Sequence, residues 1–159
     1  TEQKNLLSTE INIQEKLNLN LKNLKRITTK KVVVLMSKNE ELKIVLKKVG
    51  EEPKIMNIEN TLEAKQKLVN GWIEVVSVTD DILLVCNEEG KLENLPPNLL
   101  FDYDYIAGDC FFIGDDYDNA DFKSLTDEQI EEIKEICKKR KINDFLDLLG
   151  KVENLFQDY

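Results

Sequence analysis

Residues 71–98, GWIEVVSVTDDILLVCNEEGKLENLPPN, decide the fold, because two apolar runs, two turns and a double proline follow one another in that span. Trp72, Ile73, Val75, Val76 and Val78 form one run rich in aromatic and β-branched residues, and Ile82 to Cys86 form the second. Thr79-Asp80-Asp81 between them has the length and chemistry of a hairpin connection. Both runs are apolar at successive positions, which predicts a strand pair covered on both faces inside a sheet, with Trp72 in the core. Asn87-Glu88-Glu89-Gly90 reads as a type I turn leading to a return run from Lys91 to Leu95. Pro96 and Pro97 donate no ladder hydrogen bond, so sheet pairing is expected to stop there.

Upstream of this span, Leu42 to Leu46 and Ile55 to Ile58 make a second β unit around the Gly50-Glu51-Glu52-Pro53 turn. Asn60, with Glu63 three residues on, is expected to cap a helix over 61–70 that stops at Asn70-Gly71. Downstream, Phe101 to Tyr105 reads as an acidic, aromatic loop and Cys110 to Ile113 as the last strand. A helix over 127–140 opens on a capping box, Thr126 with Gln129, and a hydrophobic staple, Leu125 with Ile130. Its buried face is Ile130, Ile133 and Cys137, and the Lys138 to Lys141 run closes it where the helix dipole favours cations. A last short helix, 143–149, is expected to end at Gly150. Near the N-terminus two patterns compete: Ile13, Leu17, Leu21 and Leu24 share a helical face, while Leu17, Leu19 and Leu21 alternate as a strand would; 9–26 is read as helix and 32–36 as strand.

The fold class is α+β: a mixed, mostly antiparallel sheet of about five strands packed against two helices, plus an N-terminal arm. The domain division is an arm over 1–37, an α+β domain over 38–141 and a helical tail over 142–159. Charge marks the first boundary. Residues 1–37 hold seven Lys/Arg against three Asp/Glu, whereas from Glu74 to Asp121 thirteen acids face a single base, Lys91.

Composition excludes several chemistries. The chain has no histidine, which removes imidazole-containing zinc sets and Ser-His or Cys-His catalysis. Cys86, Cys110 and Cys137 are odd in number and widely spaced, so a disulfide framework is not expected. No apolar run approaches the ~18 residues of a membrane span, and the polar N-terminus lacks a signal peptide's apolar segment, so the expectation is a cytoplasmic protein without a membrane partner.

From about Leu42 to Ile136 the chain resembles domain of unknown function 3846, a family found in bacterial and phage proteins. The resemblance is carried by the GEEP turn at 50–53, IENTLEA at 58–64, NGWIEVV at 70–76, LLVCNEEGKLENLPPN at 83–98, AGDCFFIG at 107–114 and FKSLTDEQI at 122–130. It implies no established activity. The family's occurrence on phages, plasmids and conjugative elements implies an accessory or anti-defence role rather than housekeeping metabolism.

Two candidate sites follow. The first is an acidic docking face with tyrosine anchors: Tyr103, Tyr105, Asp115, Asp116, Tyr117 and Asp118. Carboxylates at this density attract basic surfaces and can imitate nucleic-acid phosphate. The functional expectation is therefore a non-enzymatic acidic binding protein of a mobile element that inhibits a host protein with a basic surface, without contacting nucleic acid itself. The second is a ligand site on Asn87, Glu88, Glu89, Lys91 and Asn98, which would serve a small-ligand or nucleotide-handling enzyme. The aspartates at 102–121 do not fall in an EF-hand register, and no catalytic residue, metal or cofactor is expected.

Overall fold

The computed structural model describes residues 13–18, 40–101 and 104–157. The chain divides into two units, Thr1–Asn39 and Glu40–Tyr159. In the first, residues 13–18 form a short helix, α1, inside the stretch expected to be helical. The strand expected at 32–36 lies outside the described residues.

The second unit runs β1 (Glu41–Lys47), β2 (Lys54–Glu59), α2 (Leu62–Val69), β3 (Ile73–Ser77), β4 (Ile82–Asn87), β5 (Pro97–Phe101), β6 (Asp104–Ala107), β7 (Cys110–Asp116), a 3-10 turn over Tyr117–Asn119, β8 (Asp121–Lys123), α3 (Asp127–Arg140) and α4 (Phe145–Gln157). It is α+β, and every strand pairing among the described residues is antiparallel. The main sheet has six strands rather than five, in the order β2-β1-β7-β4-β3, with β8 on β7. β4 occupies the other edge of β7 as far as Gly114, so β8 extends the row that β1 begins.

Alternation sends Ile82, Leu84, Cys86, Cys110, Phe112 and Val45 to one face, where Leu99, Ile106, Ile130, Ile133 and Cys137 close the core. Val85, Phe111, Ile113, Ile44 and Leu46 point the other way, onto Ile58 and Val69. The sheet is thus sandwiched, with α2 on one side and α3 plus the β5–β6 hairpin on the other. Phe111 and Phe112 are fully buried on opposite faces, and truncating either to Ala would cost about 3–5 kcal/mol.

Several local expectations hold. Thr126 and Gln129 form the reciprocal capping box of α3, with Leu125 and Ile130 buried beside it. Others are corrected. The α2 cap is Thr61, whose Oγ1 accepts from the Ala64 N–H at 3.1 Å, while the Asn60 Oδ1 takes the Lys65 ammonium at 2.6 Å. β3 is an edge strand, not an interior one, and Trp72 is 65% exposed rather than core. Residues 91–95 form no strand: the turn after β4 coils on itself, with Glu93 N–H on Glu89 C=O at 2.9 Å. Pro97 opens β5 instead of ending all pairing, since a strand's first residue can spare its donor. Residues 97–101 and 104–107 therefore pair as two strands of a hairpin, in place of the loop expected over 101–105. α4 passes through Gly150, which has open space around it, and runs on to Gln157.

Candidate functional site

The β5–β6 hairpin does not join the main sheet; it leans over it. Asn98 fastens it from below: its Nδ2 donates to the Lys47 and Gly108 carbonyls, each at 2.9 Å, and its Oδ1 accepts from the Lys47 ammonium at 3.0 Å. The C-terminal end of α3 fastens it from the side, where the Arg140 guanidinium lies 4.6 Å from the Phe101 ring centroid and donates to the Leu100 carbonyl at 3.2 Å. Between the hairpin and the β3 edge lies a cleft of about 570 Å³. Glu74 and Val76 of β3, Val78 just after it and Cys86 of β4 form its floor; Phe101, Tyr105 and Ile106 form its wall; Glu88, Lys91 and Arg140 sit at its rim.

Two close approaches fix the turn over 88–94, one against the hairpin and one where the chain leaves α2. A Cβ on Gly90 would meet the Ala107 carbonyl at 2.7 Å, and one on Gly71 would meet the Asn87 Nδ2 at 2.7 Å. The Asn87 amide reaches the Val69 and Asn70 carbonyls at the end of α2, while its Oδ1 accepts from the Glu89 N–H at 2.8 Å. This buried amide fixes the start of the turn, and its N–H groups are already engaged by protein acceptors, the Glu93 carboxylate at 3.4 Å among them.

Charge in the cleft is asymmetric. Lys91 pairs with Asp104 and lies 5.1 Å from the Tyr105 ring centroid. Burial disfavours the Asp104 carboxylate, but the Lys91 ammonium and the Tyr105 N–H outweigh it and lower its pKa. Glu74 and Glu88 pair with no cation among the described residues. Burial, reinforced by Glu74, pushes the Cys86 thiol up to about 12, which keeps it protonated and a poor nucleophile. Among the described residues no three Cys, Asp or Glu side chains converge as a metal-binding set, and no helix is long and apolar enough to cross a membrane.

The two candidate sites of the sequence are both divided by the structure. Tyr105 lines the cleft, whereas Asp115, Asp116, Tyr117 and Asp118 cluster at the other end of β7, six residues beyond Cys110 or about 20 Å at the usual strand rise. Tyr117 is 86% exposed there, and Tyr103 lies outside the described residues. Of the second set, Glu88 and Lys91 reach the cleft with the edge of Asn87; Glu89 is exposed outside it and Asn98 is buried beneath the hairpin. Sequence reasoning missed Glu74, Phe101 and Arg140. Arg140 read as dipole complementarity, and only the packing of α3 on β5 brings it to Phe101.

Comparison with curated proteins and with solved structures gave no match. Residues 42–138, more than half of the chain, match the family described as Domain of unknown function (DUF3846), and these residues include β3, β4, the turn after it and the β5–β6 hairpin, hence all of the cleft except Arg140. The chain belongs to that family.

Proposed function

We propose that the Glu40–Tyr159 unit is a non-enzymatic binding protein whose cleft receives a basic segment of a partner protein. The observation that supports this most directly is a pair of carboxylates with no paired cation among the described residues, Glu74 and Glu88, beside the rings of Phe101 and Tyr105 in one cleft. Cations gain there from charge-assisted contact with the two carboxylates. The surrounding sequence adds long-range attraction, with thirteen acids against one base from Glu74 to Asp121. Inhibition of a host protein by an element-borne accessory protein is the setting that the family resemblance suggests, and it rests on that resemblance alone.

The test is titration of a labelled, lysine-rich peptide into two variants. Glu74→Gln with Glu88→Gln weakens binding at least tenfold on this reading, while Asp115→Asn with Asp116→Asn and Asp118→Asn changes it less than threefold at high salt. The reverse ranking moves the docking face to the far end of β7. A second reading is favoured by the cleft volume, which falls within the ~300–1,000 Å³ of small-molecule sites. On that reading a nucleotide or other small ligand saturates the cleft and competes with the peptide, and Lys91→Ala abolishes the competition.

A further inference from the structure

β3 has a second recognition element that the cleft alone does not use. The Glu88 N–H donates to the Trp72 carbonyl at 2.8 Å and the Val78 N–H to the Ile82 carbonyl at 2.9 Å. With the register Glu74↔Cys86 and Val76↔Leu84, the even-numbered residues of β3 therefore spend their backbone groups on β4. The N–H and C=O groups of Ile73, Val75 and Ser77 point to the outer edge, where no strand pairs with them among the described residues. On the side away from the cleft the edge carries Val75, 43% exposed, and Trp72, 65% exposed, stands just before its first residue. On the cleft side it carries Glu74, with Glu88 just beyond. No proline, bulge or lysine occurs within Ile73–Ser77, and its one charge is Glu74.

We infer that the partner segment binds as an added antiparallel or parallel β-strand on the outer edge of β3, its alternate side chains being cationic toward Glu74 and Glu88 and apolar beside Val75. This rests on the basic-segment reading above and specifies its geometry. Backbone pairing supplies affinity that is independent of side chains, and the two-residue alternation of a strand supplies the selection for alternating charge. The other sheet edge, β2, also carries outward backbone groups, at Ile55, Asn57 and Glu59 by the same parity from the Asn60 to Glu40 bond. It borders no acidic cleft and serves as the internal control.

The probe is a short peptide alternating lysine and valine, blocked at both ends, against the full chain. Trp72 is the chain's one tryptophan, so its emission reports on this edge directly. Binding is expected to shift that emission to shorter wavelength. Methylating alternate backbone nitrogens of the peptide, which keeps every charge, is expected to weaken binding at least tenfold in one of the two phases of alternation. Val75→Pro removes one outward N–H and no bond to β4, and is expected to do the same, while Asn57→Pro leaves affinity within twofold. Equal affinity for both N-methylated peptides overturns strand addition. If Glu74→Gln and Glu88→Gln still weaken binding in that case, cleft docking stands without it; if they do not, both readings fail. Binding without any change in Trp72 emission also overturns the proposal, as does a dimer of the protein alone that Val75→Pro dissolves, since the edge would then belong to a second copy.

Discussion

Lys47 shows how one residue couples the hairpin to the sheet. It is 2% exposed, and among the described residues its ammonium has two acceptors, the Lys48 carbonyl at 2.8 Å and the Asn98 Oδ1 at 3.0 Å, neither charged. Burial lowers its pKa from 10.5 against a weaker opposing pull from the nearby Cys110 and Cys137 thiols. Between that lowered value and 10.5 the unfolded chain holds a proton that the native protein has released, so stability rises with pH through this window. Below the lowered value both states are protonated, and the burial cost is constant. Lys47→Met removes the titrating group. The stability of the wild type relative to this variant is therefore expected to increase as pH approaches 10.5, measured by urea unfolding near neutral pH and in the alkaline window. A difference that stays flat would mean that Lys47 keeps its proton in the fold.

At the scale of elements, glycines separate what a sequence discloses from what it conceals. Gly71 follows Asn70, the left-handed C-cap of α2, at φ 56°, and so looks like an ordinary helix stop. Its true constraint is the Asn87 side chain, 16 residues away, which a Cβ would meet at 2.7 Å. Because that amide is held by α2 carbonyls, Gly71→Ala is expected to cost about 1–3 kcal/mol. Gly150 lies in the exposed part of α4 with nothing within 4 Å, so Gly150→Ala is expected to gain about 0.5–1 kcal/mol. Urea midpoints at unchanged slope check both signs. The contrast explains what was legible. The hairpin around Thr79 to Asp81, the Thr126 capping box and the two main helices rest on residues a few positions apart, and the sequence pattern shows them. The central place of β7, the edge position of β3 and the hairpin over the cleft depend on pairings between distant strands, to which apolar runs are blind. Val75 looks identical to Val85 in composition, yet one faces an open edge and the other lies fully buried in the core. Half the site was legible for the same reason: Glu88 and Lys91 stand on a local turn, whereas Glu74, Phe101 and Arg140 converge through the fold.

Over the whole molecule, carboxylates gather at two ends of one sheet. One end holds Glu74, Glu88 and Asp104 around the cleft; the other holds Asp81, Asp115, Asp116 and Asp118, where the Asp115 N–H reaches the Asp81 carbonyl at 3.1 Å. At 0.01 M salt the Debye length is ~30 Å, so charges at the far end, about 20 Å away at the usual strand rise, still contribute to the field that steers an approaching basic partner. At 1 M it falls to ~3 Å, and only carboxylates in contact with the ligand matter. Charge changes at the two ends should then separate kinetically. Neutralising Asp115, Asp116 and Asp118 to Asn is expected to slow association severalfold at low salt, with no effect at 1 M and none on dissociation at either. Neutralising Glu74 and Glu88 to Gln is expected to slow association at low salt and also to speed dissociation at least tenfold, a difference that persists at 1 M because these groups touch the bound segment. Stopped-flow traces with the lysine–valine peptide, followed through Trp72, measure both rates. Dissociation accelerated by the aspartate variant and untouched by the glutamate variant would place the contact surface at the β7–β8 end and leave the cleft without a role in binding.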